Sequence, residues 1–268
     1  MKNTIGIIGC GWLGLPLAKS LIQAGYNVHG STTNKDKLET LEKEGIKPFI
    51  VMLGEEEITG SIIQFLDQLD ILIINVPPGI RGNNKENYVL KMTHLHNAIE
   101  ESSAKKIVFV SSTSVYGAVE GEVTEDTLPM PVTESGKQLV EAENIFLNDK
   151  SLQTTILRFG GLIGPNRHPI TMLSGKKGLS NGNEPVNLIH LNDCIHLIKT
   201  VLENNWWNQI FNGVYPDHPL KSDYYSHMAD KNMLPRPQYL QHKSIKSGKI
   251  ILSRNFLNKD VPFYTGIN

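Results

Sequence analysis

Short apolar runs bounded by Gly, Pro or Asn alternate with amphipathic stretches along most of the chain, and that alternation predicts βαβ units around a parallel sheet. The first run is Ile5 to Ile8, followed by a helix from about Leu13 to Ala24 that Gly25 ends. Asn27 to Ser31 reads as a second strand, Lys35 to Glu44 as a helix closed by Gly45, and Pro48 to Met52 as a third strand. Ile71 to Val76 and Lys106 to Ser111 are apolar enough to be strands buried on both faces, with a long helix ending near Ser102 between them. Thr133 to Asn148 reads as a Glu-rich helix and Thr154 to Phe159 as a sixth strand.

Beyond Phe159 the pattern weakens. Gly160 to Glu184 is dense in Gly, Pro, Asn and basic residues and reads as loops and short helices over the carboxyl edge of the sheet. Val186 to Ile189, the helix Asp193 to Leu202, and Gln209 to Gly213 restore regular structure. The expected architecture is therefore α/β, a Rossmann-type doubly wound parallel sheet with a small C-terminal substrate lobe. Residues 1–159 form the dinucleotide-binding domain, and residues 160–268 form a mixed region whose stretch at about 186–213 returns to the core.

A strand–turn–helix with spaced glycines turns this fold into a chemical expectation. Gly9-Cys10-Gly11-Trp12-Leu13-Gly14 matches G-x-G-x-x-G and joins the first strand directly to the first helix. The first Gly permits the tight turn, the second lets a pyrophosphate approach the backbone, and the third lets helix and strand pack closely. Pro16 lies in the first turn of that helix, where a missing N–H costs little. The three glycines also argue against a Rossmann-like methyltransferase.

The end of the second strand decides which dinucleotide is favoured. An NAD site usually places Asp or Glu there for the ribose 2′-OH, whereas this chain has Gly30-Ser31-Thr32-Thr33-Asn34-Lys35 and no acid before Asp36. Ser31, Thr32, Thr33 and Lys35 offer donors for a 2′-phosphate, so NADP is expected over NAD.

Composition narrows the remaining classes. With 26 Lys and Arg against 27 Asp and Glu, the 268-residue chain has net charge −1, and no long-range field favours nucleic acid or an anionic membrane. No apolar run approaches the ~18 residues that span a bilayer, and Cys10 and Cys194 sit far apart in apolar contexts. A cytoplasmic protein with no metal and no disulfide framework is expected.

Four segments together resemble the extended short-chain dehydrogenase/reductase superfamily: Gly9 to Ala18, Ser111 to Gly117, Arg158 to Pro165, and Asn187 to Asp193. Gly11-Trp12-Leu13-Gly14 with Pro16-Leu17-Ala18, Gly30 to Thr33, and Gly164-Pro165-Asn166-Arg167-His168-Pro169 make the chain most similar to the atypical YeeZ-like group of nucleoside-diphosphate-sugar epimerase relatives. The resemblance implies cofactor contacts at Trp12 and Leu13, at Asn75-Val76-Pro77, at Ser111 and at Phe159. It also implies a small-molecule substrate, with a nucleotide sugar as one candidate, and a monomer or homodimer.

Members of that superfamily use a Ser or Thr after a central strand and a Tyr-x-x-x-Lys on the next long helix. Tyr exchanges a proton with the substrate hydroxyl while hydride moves to or from the nicotinamide, and Lys lowers the Tyr pKa. Aligned on that pattern, Ser112 takes the Ser/Thr position, but Ser135 stands for Tyr and Leu139 for Lys. A serine hydroxyl is a far weaker acid than a phenol, and Leu139 supplies no charge. Tyr116 is an alternative phenol. Lys137 is two residues past Ser135 and faces elsewhere on a helix. Binding without turnover is the third alternative.

The second lobe adds candidates for substrate contact: Ser114 in the Ser111 to Gly117 segment, Arg158, Arg167 with its planar donor fork, His168, and His190. For Arg167 a solvated loop residue and for His168 a turn cap are equal readings, and for His190 a satisfied buried ring. Asp193 is expected to cap its helix. The aromatic pair Trp206-Trp207 is expected to pack under the lobe.

Overall fold

The computed structural model describes residues 3–79, 86–240 and 248–268. Its first strand β1 (Thr4–Ile8) runs through the glycine turn into α1 (Gly14–Gln23), and β2 (Asn27–Thr32) follows. A single 3₁₀ turn at Lys35–Lys37 then leads into the short α2 (Leu38–Lys43), so the expected helix from Lys35 is broken near its start. Asn34 caps the 3₁₀ turn, its side chain accepting from the Asp36 amide at 2.9 Å.

Next come β3 (Lys47–Leu53), β4 (Ile58–Gly60), α3 (Ile62–Leu66), β5 (Ile71–Ile74), α4 (Tyr88–Glu100) and β6 (Lys106–Ser112). A 3₁₀ turn at Thr113–Tyr116, β7 (Gly121–Val123), α5 (Glu134–Asn148) and β8 (Gln153–Phe159) complete the first half. The remainder comprises β9 (Gly161–Ile163), α6 (Ile170–Leu173), β10 (Leu188–His190), α7 (Leu191–Glu203), β11 (Ile210–Gly213), α8 (Lys221–Lys231), β12 (Lys249–Ile251) and α9 (Arg254–Leu257).

Eight strands form one sheet in the order β11-β8-β6-β5-β1-β2-β3-β4. All pairings in it are parallel except that of β3 with the edge strand β4. The strand order reverses between β1 and β5, and a doubly wound sheet binds ligands in the crevice at the carboxyl ends of such a switch.

The two-residue period of a strand divides the core between the faces. Ile71 and Ile73 join Leu17, Leu21, Leu197 and Ile198 on one side, while Leu72 and Ile74 join Met92, Leu95, Leu139 and Phe146 on the other. A third apolar cluster includes Ile163, Ile170, Leu188, Tyr224 and Met228. After β8 the chain serves both: β11 and α7 pack with the main sheet, and α6 and α8 supply the third cluster. The expected strand at Val186 to Ile189 is β10, which pairs with β9 outside the main sheet.

Trp206 stacks on Phe211 at 5.7 Å and lies against the core. Both cysteines are free and buried, and burial pushes the Cys10 thiol up to about 12. Among the described residues no helix is long and apolar enough to cross a membrane.

Candidate functional site

At the glycine turn each of the three glycines has a different physical reason to be there. Gly9 has φ +100°, and a β-carbon on it would lie 2.5 Å from the Asn75 carbonyl oxygen. On Gly14 a β-carbon would lie 2.2 Å from the Gly9 carbonyl oxygen. On Gly11 it would meet nothing within 4 Å. The first and third positions are closed by the protein's own backbone, and the second faces open space, which is the cradle a pyrophosphate needs. Behind it, α1 follows its N-cap residue Leu13 with no side-chain cap and no acid in its first turn; the Leu15 amide already donates to the Gly11 carbonyl at 3.0 Å, so a ligand at the turn would be met by the amides of Trp12, Leu13 and Gly14. These residues fit a dinucleotide.

Two neighbours hold the turn in shape. The Gly9 amide donates to Ser31 Oγ at 2.9 Å, and Asn75 Nδ2 donates to the Gly9 carbonyl at 3.0 Å. Ser31 is 2% exposed, so its expected role as a 2′-phosphate donor gives way to bracing the turn. Thr32 is also buried and its Oγ1 accepts from the Asn34 amide. Thr33 and Lys35 are exposed just past β2. Asn75 likewise contributes a brace, Val76 offers its carbonyl to the buried Tyr88 hydroxyl at 2.8 Å, and Pro77 is exposed.

At the end of β6 the sequence expectations separate. Ser112 is half-buried and caps the following turn, its Oγ accepting from the Ser114 amide at 3.2 Å; a hydroxyl used this way still has its proton to donate. Ser114 is half-buried beside it. Ser111 points the other way, as strand alternation requires, and donates to Glu143 at 2.5 Å in the interior. Phe159, paired across from Ser112, has its ring in the core at 2% exposure. The contacts that the resemblance implied for Ser111 and Phe159 are therefore not available to their side chains.

Tyr116 and Arg158 are corrected in the same way. Arg158 donates to both Glu143 oxygens from Nε and to Oε2 from Nη2 at 2.6 Å, while its Nη1 donates to the Tyr116 hydroxyl at 3.0 Å. That hydroxyl donates to Asn212 Oδ1 at 2.8 Å, and Tyr116 is fully buried. Burial is the main cause that raises its pKa. A phenol closed off in this network braces the floor of the site and does not face a substrate.

On α5, Thr133 caps the helix by accepting from the Gly136 amide, and Ser135 is half-buried in the first turn. Leu139 is 4% exposed inside the apolar cluster under the sheet, and Lys137 is exposed on another side of the helix. A cation reaches this region from elsewhere: Lys249 Nζ donates to the carbonyls of Gly117 at 2.6 Å and Thr113 at 3.4 Å, the two ends of the turn that carries Ser114. Burial, and then Lys221, hold Lys249 below the ordinary lysine range. With Lys221, Glu184, Asn187 and Tyr225 it lines a pocket of about 220 Å³. Nothing in the local sequence signals Lys249, because its neighbours in space come from distant segments.

Past β9, Arg167 is exposed and its guanidinium lies 4.9 Å from the centre of the Trp12 ring. His168 Nδ1 accepts from the Ile170 amide, which leaves Nε2 to donate to the Tyr224 hydroxyl at 2.9 Å. That hydroxyl donates to the Ile267 carbonyl. His168 is thus the turn cap of its two readings and a tie to the C-terminal segment. His190 caps α7, accepting from the Asn192 amide, and so takes the role expected of Asp193. Asp193 instead is fully buried and accepts from the Tyr264 and Thr265 amides, fastening the same segment.

The chain matches the NAD(P)H-binding family over residues 9–187. It is 36% identical over 256 residues to protein YeeZ of Escherichia coli strain K12, covering 95% of this chain and 93% of that protein. An uncharacterized UDP-glucose epimerase of Bacillus subtilis, YtcB, is 25% identical over 194 residues, 65% of this chain and 61% of the relative. Among solved structures, UDP-glucuronic acid 4-epimerase from Bacillus cereus in complex with NAD superposes with TM-score 0.79 at 19% identity, covering 98% of this chain and 92% of that one. MoeE5 in complex with UDP-glucose and NAD gives 0.78 at 20% identity, covering 99% and 95%.

Proposed function

This chain belongs to the NAD(P)H-binding family, and from that premise we propose that it is an oxidoreductase or epimerase-like enzyme that prefers NADP(H) and acts on a phosphate- or nucleotide-bearing small molecule. The observation that carries the reading is the open face of Gly11 beside the uncapped α1, at the carboxyl ends of the strands, with the half-buried Ser112 at the end of β6. The preference for NADP(H) rests on Thr33 and Lys35, exposed past β2 with no acid before Asp36.

Gly11 would lie against the cofactor's pyrophosphate, and the amides of Trp12, Leu13 and Gly14 at the head of α1 would donate to it. When bound, the nicotinamide supplies the hydride chemistry. Ser112, held by the Ser114 amide, would donate its hydroxyl proton to the reacting oxygen of the substrate and fix its orientation. Lys249 would offer the neighbouring pocket one positive group for a phosphate, since Lys221 there is paired with Glu184 at 2.6 Å. The relatives whose names include UDP-sugar epimerases make a nucleotide sugar the first substrate to try. With Ser135 at the tyrosine position, Ser112 would orient the reacting oxygen, and the chain supplies no phenol for the proton exchange at that position.

A second reading, a dinucleotide-binding sensor without turnover, is favoured by one observation: the Leu139 side chain is packed in the core, so that position holds no cation. The test is NADPH-linked conversion of UDP-sugars by the purified protein. Conversion lost in Ser112→Ala supports the enzyme; NADPH binding with no conversion across such substrates supports the sensor.

A further inference from the structure

Lys249 reaches its pocket on a backbone that is fixed on both sides. Gly248, just before it, has φ +91°, and a β-carbon there would come 3.1 Å from Glu184 Cγ. Asn187 holds the start of β12, its Nδ2 donating to the Lys249 carbonyl at 2.9 Å and its Oδ1 accepting from the Ile251 amide at 2.8 Å. The ammonium gives two of its three donors to the carbonyls of Gly117 and Thr113, which are neutral, so its charge and one N–H remain for the pocket. Glu184, the carboxylate in that pocket, pairs with Lys221 instead.

Tyr225 brings a second donor. Its ring packs on Tyr224 at 5.0 Å, and its hydroxyl has no hydrogen-bond partner among the described residues. Burial pushes the phenol up to about 12, so at neutral pH it donates and carries no charge. The lining charges are then two cations and one carboxylate, a net charge of one positive. A phosphate monoester carries about 1.5 to 2 negative charges and would face Glu184 undercompensated. A carboxylate carries one, and its two oxygens suit an ammonium and a phenol. At about 220 Å³ the cavity is smaller than the roughly 300–1,000 Å³ of pockets that hold drug-sized ligands, which suits one small ring or chain and not a nucleotide.

We propose that this pocket is a subsite for the carboxylate of a small organic acid, read by Lys249 and Tyr225, so that the substrate carries an acid group besides any phosphate. This narrows the anion offered to Lys249 from a phosphate to a carboxylate, and it rests on the reading that the neighbouring Ser112 turn meets the substrate. Lys249 links the two, since it donates to both ends of that turn and lines the pocket.

The experiment follows the melting temperature of the full chain against D-glucuronate, D-glucose and inorganic phosphate at fixed ionic strength and neutral pH, with apparent dissociation constants taken from the concentration dependence. D-glucuronate and D-glucose differ chiefly in the acid group. The wild type is expected to bind D-glucuronate at least about tenfold more tightly than D-glucose, the scale of one charge-assisted hydrogen bond, and more tightly than phosphate. Lys249→Met is expected to abolish that preference. Tyr225→Phe keeps the ring and removes one donor, so it is expected to lose about three- to tenfold without touching the Ser112 turn. Lys137→Met, an exposed lysine on α5, serves as the control and is expected to bind as the wild type does. A wild type that prefers phosphate, or that does not distinguish D-glucuronate from D-glucose, overturns the proposal. So does wild-type affinity in both pocket variants, or an equal loss in Lys137→Met. Titration of NADPH into the same wild-type protein separates the two levels: acid selectivity without dinucleotide binding fails the functional reading alone, and dinucleotide binding without acid selectivity fails this inference alone.

Discussion

Arg158 and Glu143 form a nearly dry ion pair beneath the candidate site, 3% and 1% exposed, with Nη2 donating to Oε2 at 2.6 Å. The pair ties β8 to α5, and through Ser111, Tyr116 and Asn212 it spreads to β6 and β11. Removing one partner leaves a buried charge without compensation. Glu143→Ala is therefore expected to cost about 3–5 kcal/mol in urea unfolding. Glu143→Leu combined with Arg158→Met is expected to recover most of that loss, since it removes both charges. A single variant as stable as the wild type would show that the pair is more hydrated than its burial implies.

The glycines make opposite predictions. Gly14→Ala places a β-carbon 2.2 Å from the Gly9 carbonyl oxygen and is expected to destabilise the fold by about 1–3 kcal/mol. Gly11→Ala fills only open space. Its melting temperature is expected to match the wild type while dinucleotide affinity falls by about tenfold or more. Paired thermal unfolding and titration of the two variants checks both.

How much of this was legible in the chain follows from the range over which each signal acts. The Rossmann half could be read because β1, the turn and α1 are contiguous, and each glycine's role is local. The polar site residues were harder, since a residue type does not say which way a strand turns it. Ser111 and Ser112 are neighbours with the same side chain, yet one donates to the buried Glu143 and the other caps the turn at Thr113–Tyr116. Ser31 had the right chemistry for a phosphate but is used to brace Gly9. Lys249 was invisible because β12 meets the turn after β6 only through tertiary pairing with β7. Helix α8, with Lys221 and Tyr225, escaped for another reason: its Lys-Ser-Asp-Tyr-Tyr-Ser-His start lacks a clear apolar period and no side chain caps it.

Buried histidines set the acid limit of stability. Burial holds His29, His168 and His218 below the ordinary value of 6.5. His168 must also remain neutral for its Nδ1 to accept from the Ile170 amide. The unfolded chain therefore takes up these protons first as pH falls, so their contribution is complete above about 6.5 and is lost progressively below it. Urea unfolding between pH 7.5 and 5 at fixed salt, buffers chosen by the experimenter at about those limits, is expected to show stability falling with pH. His168→Gln is expected to flatten the slope by up to about one proton. Stability that rises on acidification over that window would contradict this assignment.

Cofactor selectivity is expected to lie in the exposed residues past β2. A carboxylate at that point repels a 2′-phosphate and accepts from a 2′-OH. Thr33→Asp with Lys35→Glu is therefore expected to weaken NADPH binding by about ten- to a hundredfold and leave NADH unchanged or improved, read as dissociation constants at one ionic strength. Equal loss of both ligands would mean that these side chains support the turn and do not read the ribose.

The most direct measurement is thermal unfolding of the purified wild-type protein in the presence of NADPH and of NADH, because a ligand that binds only the folded state must raise its stability. At about 100 times the dissociation constant the gain is ~2.7 kcal/mol, well within reach of a melting experiment. The account predicts a concentration-dependent rise with NADPH and a smaller one with NADH at the same concentration. No rise with either, up to millimolar ligand, would contradict it.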